Sequence, residues 1–125
     1  MNTALISLLK TTLGSGITVY TGAIPEGVDK PCIQVSMVSN ADNRVIAGQK
    51  YGNTQVYRVT VFAPMQSQIQ GILDTLETLD NTKNADFQRI FGQWILTEAK
   101  QPGQVLARAF YDLTVYIWRI MICLT

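Results

Sequence analysis

Residues Gln55–Leu79 read QVYRVTVFAPMQSQIQGILDTLETL, and the apolar period changes within this stretch. Tyr57, Val59 and Val61 alternate with Arg58 and Thr60, the period of a half-buried strand. Pro64 ends that strand and suits the start of a helix. Ile69, Ile72, Leu73, Leu76 and Leu79 then recur at i, i+3, i+4, i+7 and i+10, a helical stripe. Asp74, Glu77 and Asp80 fall off the stripe, as a solvated helix face requires. Gly71, inside the helix, costs about 1 kcal/mol relative to Ala. Close packing against a sheet or another helix is the expected reason for it.

Working toward the N-terminus, Cys32–Val38 alternates in the same way, with Ile33, Val35 and Met37 on one face and Gln34 and Ser36 on the other. The intervening stretch from Asn40 to Asn53 mixes turn formers with Val45, Ile46, Arg44 and Lys50. A long loop is usually functional or disordered, and a protruding β-hairpin reconciles its turn chemistry with its apolar centre. Further back, Gly22–Pro31 is rich in turn residues and a short strand is expected at Ile17–Tyr20. The chain opens with Leu5, Leu8, Leu9 and Leu13 at helical spacing, Asn2 or Thr3 as cap, and Gly14 and Gly16 as the stop. Toward the C-terminus, Phe87–Lys100 and the stretch from Val105 onward form two long strands. Gln101-Pro102-Gly103-Gln104 between them matches a type II turn. The predicted order is α-β-β-β-α-β-β in one domain over residues 1–125. This is an α+β fold, with two helices on one face of a mostly antiparallel sheet.

Composition narrows the chemistry. Charged residues make up 15% of the 125-residue chain, ten Lys and Arg nearly cancel nine Asp and Glu, and histidine is absent. Average domains carry about 25% charged residues, so a basic face for nucleic acid or anionic lipid is not expected. Without histidine, Ser-His-Asp and Cys-His catalysis and most zinc and non-haem iron sites are ruled out. Gly14-Ser15-Gly16 is too short to cradle phosphate. Cys32 and Cys123 match no metal or redox spacing. Both read as reduced, buried residues, although one disulfide between them stays open. Met1–Leu13 has no basic leader or cleavage site. Val115–Leu124 is about half the length needed to span a bilayer. The chain is therefore expected to be soluble, with no catalytic residue, metal or cofactor.

The sheet face away from the helices carries Arg58, Thr60, Arg108, Asp112, Thr114 and Tyr116, mixed with Trp118 and Ile120. Arg58 and Asp112 are placed to form a cross-strand ion pair. Tyr57, Phe62, Phe91, Trp94 and Tyr111 are expected in the core rather than on a base-stacking platform, which needs basic neighbours. The last seventeen residues contain only Asp112 and Arg119 as charges. A surface buried between subunits is expected there, with Arg58, Arg108, Asp112, Tyr116 and Trp118 as its candidates.

Taken in order, these segments resemble the tail terminator (tail completion, head–tail joining) proteins of long-tailed bacteriophages. The resemblance runs from the leucine-rich helix through Val19-Tyr20, Pro25 and Pro31-Cys32-Ile33-Gln34-Val35. It continues through Tyr57-Arg58-Val59-Thr60-Val61-Phe62-Ala63 and the Ile69/Leu73/Leu76 stripe to Tyr111-Asp112-Leu113-Thr114-Val115. The apolar Val115–Leu124 end departs from the family pattern. The resemblance implies a structural virion protein, assembled in the host cytoplasm, that forms a homo-oligomeric, hexameric ring. Its implied partners are the tail tube protein and a head-completion or connector protein, with no specific nucleic-acid sequence and no membrane. Loop residues Arg44, Val45, Ile46, Lys50 and Lys83 are the candidates for tube or head contact, within Asn40–Asn53, Asp80–Asp86 and Gln101–Gln104. Alternatives are another phage neck, connector or tail-tube subunit, or a small-ligand-binding α+β domain.

Overall fold

In the computed structural model, alternation and helical stripe both take their expected forms. The structure describes residues 3–25, 27–28, 30–45, 50–82, 89–98, 102 and 106–120. Its elements are α1 (Thr3–Leu13), β1 (Thr18–Tyr20), β2 (Cys32–Val45), β3 (Lys50–Ala63), α2 (Gln66–Glu77), β4 (Arg89–Glu98) and β5 (Ala107–Ile120). The order is the predicted one. The five strands form one sheet ordered β1-β2-β3-β5-β4, with β1 parallel to β2 and the other neighbours antiparallel.

Both helices lie on one face of this sheet. Leu5 and Leu9 of α1 and Ile69, Ile72, Leu73 and Leu76 of α2 join a core with Ile33, Val35, Tyr57, Val59, Val61, Ala109, Tyr111, Leu113 and Val115. These strand residues fall on alternate positions, so the hydrophobic effect selects one register: a slip by one residue would turn every one of them outward. The hydroxyl of buried Tyr57 donates to Gln55 Oε1 at 2.6 Å, which avoids leaving a desolvated donor without a partner.

The helix boundaries have local causes. Gly14 closes α1 at φ +82°, donating its N–H to the Lys10 carbonyl at 3.0 Å. At the start of α2 the Gln68 side chain reaches back to accept the Met65 N–H at 3.2 Å. Gly71 departs from expectation. A Cβ there would meet nothing within 4 Å, so close packing does not require this glycine within the single chain. The pair of helices is held by the leucine and isoleucine stripes instead.

The strands around Asn40–Asn53 are longer than local propensity indicates. β2 and β3 pair from Cys32↔Phe62 through to Val45↔Lys50, and β5 pairs with β3 as far as Lys50↔Ile120. Turn-forming Asn40, Asp42, Asn43, Gly52 and Asn53 are thereby carried in ladder positions. The hairpin expectation holds, with residues 46–49 outside the described set. β4 starts only opposite Tyr116, so β2, β3 and β5 continue past it as a three-stranded arm. A bulge between Met37 and Ser39 interrupts β2 before the arm begins.

Candidate assembly surface

The face of the sheet turned away from the helices follows directly from register. Ser36, Arg58, Asp112 and Gln93 form one row across β2, β3, β5 and β4; Gln34, Thr60, Phe110 and Leu96 form the next. Arg58 and Asp112 stand directly opposite each other. The guanidinium makes a two-point contact, Nε to Oδ1 at 2.9 Å and Nη2 to Oδ2 at 3.2 Å. Hydrogen bonding to Asp112, then its charge, raises the Arg58 pKa above its ordinary value. A second cross-strand pair, not anticipated from the sequence, joins Arg108 Nε to Glu98 Oε2 at 2.5 Å. The Arg108 guanidinium also lies 5.8 Å from the Phe110 ring centre. Phe91 and Tyr116 meet edge to face at 5.6 Å. The surface thus sets aromatic and neutral polar side chains around two matched ion pairs.

The β4 edge departs from expectation. Phe91 and Trp94 are not in the core: they are 43% and 54% exposed, beside Ile95 at 38% and Leu96 at 45%. Phe62, on the outer face opposite Arg108, is half-buried. Tyr57 and Tyr111 are buried as expected. The cause is position, because β4 is the last strand of the sheet. A bulge between Trp94 and Leu96 breaks its alternation, so Trp94 lies on the helix-side face with Tyr111 while Leu96 lies on the other with Phe110. The Trp94-Ile95-Leu96 run, which violates a period of two, was the sequence signal for that bulge.

The chain leaving α2 is fastened to the same edge. Asn81, at φ +60°, donates its N–H to the Ile90 carbonyl at 2.7 Å, and Ile90 donates to Thr82 at 2.9 Å. Asp80 Oδ1 accepts the Gly92 N–H at 2.9 Å. The Tyr111 ring crosses over Gly92, where an added Cβ would sit 2.7 Å from two ring carbons. Burial first, then the charges of Asp80 and Glu77, push the Tyr111 phenol up to about 12.

The remaining sequence candidates lie along the arm or outside the described residues. Trp118 sits in β5 opposite Gly52. Arg44 and Val45 are strand residues at the end of β2, and Lys50 starts β3 opposite Val45. These three are therefore not loop residues, because pairing on both sides of β3 extends the ladder. Ile46, Lys83 and Cys123 are outside the described residues, as is most of Gln101–Gln104. Within Asp80–Asp86 the described part, Asp80–Thr82, is pinned to β4 rather than free.

Cys32 is buried with a free thiol, which burial pushes above its ordinary pKa. Among the described residues no group of three His, Cys, Asp or Glu is placed to hold a metal ion. No described helix is long and apolar enough to cross a membrane. An open groove of about 270 Å³ is lined by Ile17, Pro31, Gln68, Gly71, Ile72 and Thr75. Small-molecule pockets are typically about 300–1,000 Å³ with convergent polar groups.

Fold and surface together define an α+β module in which two ion pairs, Arg58–Asp112 and Arg108–Glu98, stand on an open sheet face. Residues 1–95 match the family model described as phage tail terminator protein, and the chain belongs to that family. It is a structural protein of the phage tail, and hence of the virion. No curated protein matches the chain. The matched segment ends within β4, so Arg108, Asp112, Tyr116 and Trp118, all in β5, lie beyond it.

Proposed function

We propose that this chain forms a ring, hexameric in stoichiometry, on the head-proximal end of the tail tube. The ring ends tube polymerisation and offers the surface to which a head-completion or connector protein joins. The observation that carries this reading is the matched-charge outer sheet face. Arg58–Asp112 and Arg108–Glu98 cancel within the chain, and Phe91, Phe110 and Tyr116 fill the space around them. Covering these two pairs desolvates no lone charge, which is the costly step in burying an ionic surface, and Arg89 on the same face keeps its hydrogen bonds to Asn81. Arg58, Arg108, Asp112, Tyr116 and Trp118 accordingly belong to the contact between subunits. Arg44, Val45 and Lys50 on the arm, with Ile46 and Lys83, serve the tube and head.

A ring of this kind needs two different surfaces on each subunit that join after a fixed rotation. Assembly takes place in the host cytoplasm before the filled head attaches. Light-scattering mass measurement with negative-stain imaging tests the reading. A closed ring with a central hole, alone or on added tail tubes, is the expected result. A chain that remains monomeric and neither caps nor binds tubes overturns it, and open-ended polymerisation assigns the chain to the tube instead.

A further inference from the structure

Among the described residues the sheet ends in β1 on one side and β4 on the other, and the two edges differ in shape and charge. On β4 the stretch from Gln93 to Thr97 carries no charge, and Trp94, Ile95 and Leu96 stand exposed in succession. Natural edge strands are normally protected by charge, proline or cover. The charged residues of β4 lie at its ends and are already engaged: Arg89 with Asn81, and Glu98 with Arg108. Trp94 Nε1 donates to Thr97 at 3.0 Å, so the indole is held in place with its polar atom satisfied and its apolar surface outward. Large, pre-positioned aromatic residues of this kind dominate binding energy at interfaces.

At the opposite edge, β1 is only three residues long. Beside it lies the groove between Ile17 and Pro31 and the Gly71, Ile72 and Thr75 side of α2. Gly71 has open space where its side chain would be. This groove and Trp94 are on the same face of the sheet, the helix side. The rims on that face differ in sign. Asp80 is bonded to the β4 edge and Glu77 acts with it on Tyr111. Lys10 lines a depression with Thr18 and Val19 of β1. All three charged residues are exposed, and none is in an ion pair among the described residues.

We propose that neighbouring copies of this chain join edge to edge, the Trp94-Ile95-Leu96 edge of one entering the Ile17/Pro31/Gly71 groove beside β1 of the next. The occupant is a second copy because knob and groove share a face, and because an acidic rim meets a basic one when identical subunits follow head to tail. β4 runs antiparallel to β1, so the two edges meet in antiparallel sense. Trp94 lies in the row of Val35, four residues beyond Pro31 along β2. The join is therefore staggered by about 13 Å along the strands. Phe91 and Leu96 extend the contact onto the outer face, continuous with Phe110 and Arg108. Gly71 is then kept for the neighbouring subunit's side chain, not for packing within its own. This contact rests on the ring reading above.

The test uses the full chain with Trp94→Glu, Gly71→Leu, and the charge reversals Lys10→Glu and Glu77→Lys singly and together. Each residue is exposed, so each variant is expected to keep the wild-type cooperative melting transition. Trp94→Glu and Gly71→Leu should each raise the concentration needed for assembly about tenfold or more. Each charge reversal should weaken assembly, and the double reversal should restore it. A wild-type ring that survives both Trp94→Glu and Gly71→Leu overturns this contact while leaving the ring reading intact. A wild-type chain that never assembles, alone or on tail tubes, removes both.

Discussion

Gly92 and Gly71 are both glycines within regular elements, and the structure gives them opposite characters. The Tyr111 ring occupies the place of a side chain at Gly92, and burial of Tyr111 prevents the ring from moving aside. A glycine under an aromatic ring is a recurrent device for close approach in sheets. Gly92→Ala is expected to cost about 1–3 kcal/mol, read as a lowered melting temperature. Gly71→Ala meets nothing and is expected to stabilise the unassembled chain by about 0.5–1 kcal/mol through helix propensity. Tyr111 makes a separate pH prediction. Its folded pKa, about 12, lies above the ordinary phenol value of 10, so the folded state holds its proton where the unfolded state has lost it. Stability from this group is complete below pH 10 and falls between pH 10 and 12. Alkaline unfolding of Tyr111→Phe should be less steep over that window. Asp80→Asn removes one of the charges raising the phenol, and a spectroscopic titration should find the Tyr111 pKa lower.

At the scale of elements, the β4 edge stands out against the strands inside it. β3 and β5 each have two neighbours, whereas among the described residues β4 has β5 on one side and the short Asp80–Thr82 attachment on the other. Amide hydrogen exchange should show Val59, Val61, Tyr111 and Leu113 opening only with the whole domain. Outward-facing amides between Gln93 and Thr97 are expected to exchange fast in the isolated chain and slow down on assembly. If they stay equally fast in the assembled ring, the strand edge is not covered there. Local pattern was sufficient for the existence of these elements: the Tyr57/Val59/Val61 alternation and the Ile69–Leu79 stripe name their buried faces directly. It was insufficient for length. The extra turns of ladder through Asn40–Val45 and Lys50–Asn53 are made by backbone partners far away in the chain, which side-chain propensity does not report.

For the whole molecule, the last strand is the decisive one. β5 enters between β3 and β4, and among the described strands β4 pairs along its length with β5 alone. The segment that matches the family model, residues 1–95, therefore lacks the strand that completes its own sheet. A chain ending after Glu98 is expected to show no cooperative thermal transition, because Tyr57, Val59 and Val61 lose the packing of Ala109, Tyr111 and Leu113. A truncated chain that melted cooperatively near the wild-type temperature would show that β5 is dispensable for the core.

Charge pairing marks the boundary between what the chain alone reveals and what its folding decides. The shortage of charges, the absence of histidine, the α-β-β-β-α-β-β order and the outward position of Arg58 and Asp112 on their strands all follow from residue type and short-range periodicity. These are properties of neighbours in sequence, since helix and strand periods act over a few residues. The exposure of Phe91 and Trp94, the partnership of Arg108 with Glu98, the Tyr111–Gly92 contact and the open space at Gly71 do not follow. Each depends on which strand ends the sheet and where a bulge falls, so the same aromatic residue is core beside β3 and surface on β4. Burial is decided by neighbours in space, and those exist only once β5 has been inserted.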